Sequence, residues 1–248
     1  MTASLRQFLA PTLRRLSDRF GPTAGASGER VSQKKCKFLQ SRAEVEECTR
    51  FLQRNNYLSH GLPCKDFDIA NIMPEIAPGA FLDMGSSDSY ILRNVVRKRQ
   101  PGQCYGIDLR PPIDPVTGVE YVVGDLMDTK LPAEHFQSIT CLSVIEHQVD
   151  FARFCKEGAR LLKPGGKLFV TFDYWEPKVA TDLVLYGLAW QPLDRAAAEQ
   201  LLAAAAAEGL HPVQEMDWQV GEAVIREGYY SPDPKVSYTF GLIIFEKR

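Results

Sequence analysis

Five places along the chain carry residue types that can hold a ligand or move a proton. The first is the run Asp83-Met84-Gly85-Ser86-Ser87-Asp88-Ser89. A glycine there lets backbone approach a ligand with no Cβ in the way, and the serines add hydroxyls and amides suited to a carboxylate or phosphate. The same run also reads as an ordinary turn. The second place is Asp108, 23 residues beyond Gly85. An acid about 20 positions past a glycine loop is spaced to accept hydrogen bonds from a ribose diol. Alone, it reads also as a cap for the next turn. The third is Gly124-Asp125-Leu126. There a carboxylate can accept from an amino-bearing ring while the leucine packs on its face, or it can simply sit at the surface. The fourth is Ser143 with Glu146 and His147. Imidazole titrates near neutrality, so His147 qualifies as a general base; it can also pack beside a ligand or orient Glu146. The fifth is Asp173 with Tyr174.

These residues need elements to position them. AFLDM, CYGID, EYVVGD, SITCLSV and KLFVTFD are apolar runs of strand length, and the candidates stand at their carboxyl ends. Helical patterns separate them: Tyr90 to about Arg99, and DFARFCKEGARLL, which Lys163-Pro164-Gly165-Gly166 stops. Strands alternating with helices predict an α/β fold with a parallel sheet covered on both faces. Ligands of such sheets bind beyond the carboxyl ends, where the strand order reverses. Residues 174–192 are aromatic and irregular, including Tyr174, Trp175 and Trp190, and can serve as a lid. Asp194 can cap a helix over RAAAEQLLAAAAAE that Gly209 ends. HPVQEMDWQV and VSYTFGLIIFEK read as two closing strands. Upstream, residues 34–58 look helical, and a second short helix ends near Ile76. The chain thus divides into a basic segment with a linker (1–33), a helical extension or lid (34–79) and the main domain (80–248).

Composition removes several classes. At 248 residues, 45% hydrophobic and 24% charged, the chain is of ordinary globular make-up. No apolar run reaches the ~18–20 residues of a membrane span. Residues 1–42 hold nine Lys or Arg against two Asp or Glu, a net +7, which leaves −9 for the rest of a chain whose formal total is −2. An acidic body argues against a nucleic-acid partner. Residues 1–20 alternate Leu and Phe with Arg at near-helical spacing, a pattern suited to a weak contact with an anionic membrane or a partner, or to a frayed terminus. The six cysteines form no C-x-x-C pair and read as reduced thiols of a cytoplasmic protein. The four histidines form no metal-binding spacing, so no metal is expected. G-x-G-x-x-G is absent, which weighs against an NAD enzyme.

Taken together, FLDMGSSDS, YGIDLR, VVGDLMDTKLP, SITCLSVIEH and LLKPGGKLFVTFD resemble the class I S-adenosylmethionine-dependent methyltransferases, in order and spacing, from Phe81 to Asp173. The resemblance implies a Rossmann-like seven-stranded sheet of order 3-2-1-4-5-7-6 with S-adenosylmethionine (SAM) across its strand ends. It implies that Asp83, Gly85, Ser86 and Ser87 face the methionine part, that Asp108 and Leu109 hold the ribose, that Asp125 and Leu126 meet adenine, and that Ser143 lines the sulfonium side. His147 and Glu146 are then the candidate bases for methyl transfer to a small-molecule or glycan-like acceptor. One departure stands out: the family's first loop carries alternating glycines, and here Ser87 and Ser89 replace two of them. The competing expectation is a binding or scaffold protein with a degraded cofactor site.

Overall fold

The computed structural model describes residues 30–87, 89–98, 103–226, 231–233 and 235–248. The basic segment 1–20 lies outside the described residues, and with it the expected membrane or partner contact.

Five parallel strands form the body of the sheet: β2 (Phe81–Met84), β3 (Cys104–Asp108), β4 (Val119–Val123), β5 (Phe136–Leu142) and β6 (Leu162–Tyr174). β10 (Thr239–Lys247) pairs antiparallel with β6, and β9 (Leu210–Pro212) pairs antiparallel with β10. Read across, β4-β3-β2-β5-β6-β10-β9 reproduces the expected 3-2-1-4-5-7-6 order. Strand order reverses between β2 and β5, which are neighbours. Successive side chains point to opposite faces, and each face has its own core. Phe81, Phe169, Phe240 and Ile244 pack with α1 (Arg42–Arg54), α2 (Asp66–Ile72) and α3 (Tyr90–Lys98). Leu82, Leu168, Val170 and Phe245 pack with α4 (Phe151–Leu161) and α5 (Arg195–Ala207). Asp194 caps α5 through the Ala197 amide at 2.9 Å, as its position predicts, and Gly209 follows the helix at φ +74°.

Two expectations need correction. Residues 34–58 are not helical throughout: Lys37–Phe38 form an eighth strand, β1, on Leu242 and Gly241 of β10. Helix α1 starts only after Ser41, whose side chain accepts from the Glu44 amide at 3.2 Å while Glu44 accepts from the Gln40 amide at 2.8 Å. The serine cap follows S-R-A-E, but the glutamate returns its bond to the amide before the cap, not to the cap's own as in a capping box. Second, HPVQEMDWQV is a strand only through Pro212. The outer edge of β10 is shared: β9 takes Phe245–Lys247 and β1 takes the next stretch, so the chain beyond Val213 is pushed off the edge and instead bonds Asp217 N–H to the Cys36 carbonyl. The irregular aromatic segment contains a small hairpin, β7 (Val184–Leu185) and β8 (Leu188–Ala189), turning at Tyr186 and Gly187. All six cysteines are buried and unbridged, and among the described residues no helix is long and apolar enough to cross a membrane.

Candidate active site

The predicted residues line the crevice between the ends of β3, β2, β5 and β6, and they fall into two groups. On the β3 side the geometry is open. Asp108 accepts from the Ser87 amide at 3.1 Å and the Arg110 amide at 3.2 Å. Each bond uses one oxygen, so the carboxylate keeps acceptor capacity. Leu109 beside it is 57% exposed. Gly85 sits at φ +84°, and a Cβ there would meet Val144 Cγ2 at 2.3 Å. Only glycine serves, because the loop is pressed against the start of the β5 loop. Ser86 is buried, and its Oγ fits over Gly106, where a Cβ would stand 2.6 Å away. Ser89 accepts from the Leu92 amide at 3.1 Å and so helps start α3. The serines that replace glycines are thus built into the loop. Asp83 lies beneath it, buried, accepting from Thr140 Oγ1 at 2.6 Å; burial pushes its carboxyl up to about 6. Asp125 is set further out. It accepts from the Met127 amide at 2.8 Å and pairs with Arg153 at 3.2 Å, while Leu126 is half-buried.

On the β5–β6 side the site is closed and charged. Ser143, at φ +53°, accepts a hydrogen bond from Lys65 Nζ. Lys65 lies 3.7 Å from Asp68 Oδ2 and 4.0 Å over the Phe240 ring. Glu146 and Asp173 face each other within reach of the same ammonium. Trp190 Nε1 donates to Asp173 Oδ2 at 2.8 Å. Burial and mutual repulsion raise the Glu146 carboxyl well above the usual range; burial also raises Asp173, against the pull of Lys65 and Trp190. Burial raises Asp68 to about 6. His147 goes the other way: burial, then Lys65, holds it down to about 4. The ring is therefore neutral at physiological pH and a poor proton acceptor.

Nine buried side-chain nitrogens or oxygens among the described residues have no hydrogen-bond partner. Seven of them belong to Lys65's charged and imidazole neighbours or to Thr171 beside Asp68: His60 Nδ1, Asp68 Oδ1, both Glu146 oxygens, His147 Nδ1, Thr171 Oγ1 and Asp173 Oδ1. Buried polar groups are normally satisfied, so this concentration singles the cluster out as a candidate site. The contrast with Asp66 is instructive. It is equally buried, but Thr49, Ser59 and the His60 amide satisfy it at 2.8–3.0 Å. Sequence reading did not find Lys65 or Asp68. The available signal was P-C-K-D-F-D, three charges within a short helix whose flanks are apolar.

The hairpin turn spans the mouth. Arg110 Nη2 donates to the Tyr186 carbonyl at 2.9 Å, and the His147 and Tyr186 rings stand 5.9 Å apart, edge to face.

Comparison with known proteins agrees with this architecture. Residues 82–170 match the family described as "Methyltransferase domain". A "Ubiquinone biosynthesis O-methyltransferase" of Xanthomonas oryzae pv. oryzae is 31% identical over 124 residues, 45% of this chain and 50% of that protein. This chain therefore spans about half the length of that relative. A protein of the same name from Coxiella burnetii is 41% identical over 51 residues, 21% of this chain and 22% of that one. Among solved structures, an S-adenosylmethionine-dependent methyltransferase from Mesorhizobium loti superposes with a TM-score of 0.55 at 15% identity, covering 74% of this chain and 98% of that one. Geranyl diphosphate C-methyltransferase from Streptomyces coelicolor A3(2) superposes at 0.54 and 14% identity, covering 83% and 84%. Residues 82–170 thus match a methyltransferase domain, and the sheet that holds them has the fold of the Mesorhizobium S-adenosylmethionine-dependent enzyme.

Proposed function

We propose that the chain transfers a methyl group from SAM to a hydroxyl or amine of a small-molecule or glycan-like acceptor. The observation that carries this reading is the pairing across the strand-order reversal of a half-exposed carboxylate, Asp108, with two buried carboxyls, Glu146 without a partner and Asp173 held on one oxygen only by Trp190. The two sides fit the two ends of an adenosyl sulfonium. Asp108 has oxygens to spare for a vicinal diol, and the Gly85–Ser87 backbone closes beneath it. The opposite side is rich in acceptors and negative charge, which suits a cation. Ser87, Leu109, Asp125, Leu126 and Ser143 complete the rim. The name of the Xanthomonas relative supports a hydroxyl as the methylated group.

Bound SAM supplies an electrophilic methyl group. The protein's task is then to hold a nucleophile in line and remove its proton. Between the two candidate bases the geometry favours Glu146 over His147. Burial raises both the Glu146 and the Asp173 carboxyls, so the pair accepts a proton more readily than an exposed carboxylate, whereas the His147 ring, held down to about 4, does not. Trp190 fixes Asp173, and with it the pair.

Calorimetric titration of the full chain with SAM and with its demethylated product tests the reading. Wild-type protein is expected to bind in the micromolar range, and Asp108→Ala to weaken binding ~100-fold, the loss of two hydrogen bonds to a charged group. The second reading, a scaffold with a degraded site, draws on the hairpin across the mouth. Wild-type protein that binds neither ligand would establish it.

A further inference from the structure

Lys65 is an ammonium in surroundings that favour any cation. Its Nζ donates to Ser143 Oγ, lies 3.7 Å from Asp68 Oδ2 and stands over the Phe240 ring. Glu146 and Asp173 add negative charge, while His60 and His147 face the same group uncharged. Four carboxyl oxygens here, Asp68 Oδ1, both of Glu146 and Asp173 Oδ1, are buried and meet no donor. Burial raises two of these carboxyls, Glu146 and Asp173, and Lys65 already supplies a positive charge to the cluster.

The proposed cofactor would bring a second cation to the same side of the crevice. With its ribose on Asp108 at the end of β3, an adenosyl ligand crosses the end of β2 towards β5, where Ser143 stands. Lys65 reaches the same serine from the Pro63–Lys65 turn, upstream of the matched residues 82–170. Like charges a few ångströms apart in a protein interior repel strongly enough to alter affinity by orders of magnitude before relaxation. We propose that Lys65 is a specificity-determining residue, an internal cation that disfavours the charged sulfonium of SAM relative to the neutral thioether of its demethylated product, S-adenosylhomocysteine. The proposal rests on the cofactor reading above. Asp68 softens the effect, since it is the carboxylate paired with Lys65. Neutralising Lys65 and neutralising Asp68 should therefore act in opposite directions.

The experiment is calorimetric titration of full-length wild type, Lys65→Met, Lys65→Arg and Asp68→Asn with both ligands, with circular dichroism to confirm folding. The ratio of the SAM to the S-adenosylhomocysteine Kd is expected to fall about tenfold in Lys65→Met. It should stay near wild type in Lys65→Arg, which keeps the charge, and rise severalfold in Asp68→Asn. Should Lys65→Met not fold, Asp68→Asn, unchanged in size, carries the test. An unchanged ratio, or a Lys65→Arg ratio that moves with Lys65→Met, overturns the proposal while leaving the cofactor site standing. Absence of binding by wild type overturns both.

Discussion

The two sides of the crevice are built differently. The β3 side is made of residues close in sequence: Gly85 to Ser89, then Asp108 to Arg110, joined mainly by backbone amides. The β5–β6 side is assembled from afar. Lys65 and Asp68 come from the N-terminal extension, Ser143 and Glu146 from the β5 loop, Asp173 from β6, Trp190 from beyond the hairpin and Phe240 from β10. The first side satisfies its own polar groups and leaves one carboxylate half-exposed. The second collects most of the buried polar atoms that lack partners. A nucleotide can be held by local backbone geometry that many chains share. Proton transfer needs desolvated charges, and those must be gathered from several elements to be buried at all.

The strongest way to break this comparison is to force the two sides apart where they touch. Val144 of the β5 loop packs directly on Gly85 of the β2 loop. Gly85→Ala puts a methyl group 2.3 Å from Val144 Cγ2 at a φ of +84°. Overpacking and left-handed strain together should cost about 4 kcal/mol. Urea denaturation measures it. Adding Val144→Ala should recover roughly half, because the clash is relieved and the backbone strain remains. No recovery would mean that the two loops are not mechanically joined.

What the sequence made legible follows the same division. The strands, the Asp194 cap and the positions of Gly85 and Asp108 were readable because periodicity, capping residues and loop spacing are local signals, whereas the strand order came only with the family resemblance. Lys65 was not, since nothing near P-C-K-D-F-D tells that its lysine bonds a serine 78 residues away. Nor was β1: two residues have no periodicity, and their pairing is decided by which stretch of the β10 edge β9 leaves open. His147 was one candidate base, beside Glu146, because imidazole titrates near neutrality. Burial and a neighbouring ammonium, both products of tertiary structure, remove that property.

A second, smaller perturbation reaches the floor under both sides. Asp83 is buried with its carboxyl pushed up to about 6, from about 3.8 in an unfolded chain. The folded state therefore takes up this proton first as pH falls. Stability gained from Asp83 rises as pH drops through 6 and levels off below about 4, worth on the order of 2–3 kcal/mol. Asp83→Asn should remove that rise, so its urea stability should exceed wild type most at pH 8 and least near pH 4. Glu157 works in the opposite direction. Arg160 and Thr129 hold it down to about 2, so its contribution is lost only as pH falls from about 4.5 towards 2, and it does not confuse the window from 8 to 5. A difference between Asp83→Asn and wild type that is flat across that window would show the carboxyl to be solvated, and the crevice floor open.

The smallest effect concerns the tie across the mouth. Arg110 follows Asp108 and Leu109 on the open side, and its guanidinium donates to the Tyr186 carbonyl at the tip of a hairpin whose ring meets His147 on the closed side. Both partners are exposed, so the bond adds little to stability. Its expected consequence is kinetic: a ligand under the hairpin should leave more slowly while hairpin and rim stay joined. Arg110→Ala should keep the urea midpoint within about 0.5 kcal/mol of wild type. It should speed S-adenosylhomocysteine dissociation about threefold, the weight of one exposed hydrogen bond. Stopped-flow displacement reads the rate. If the rate is unchanged, the hairpin rests on the rim without closing it, and the loops of the two sides meet at Gly85 and Val144 instead.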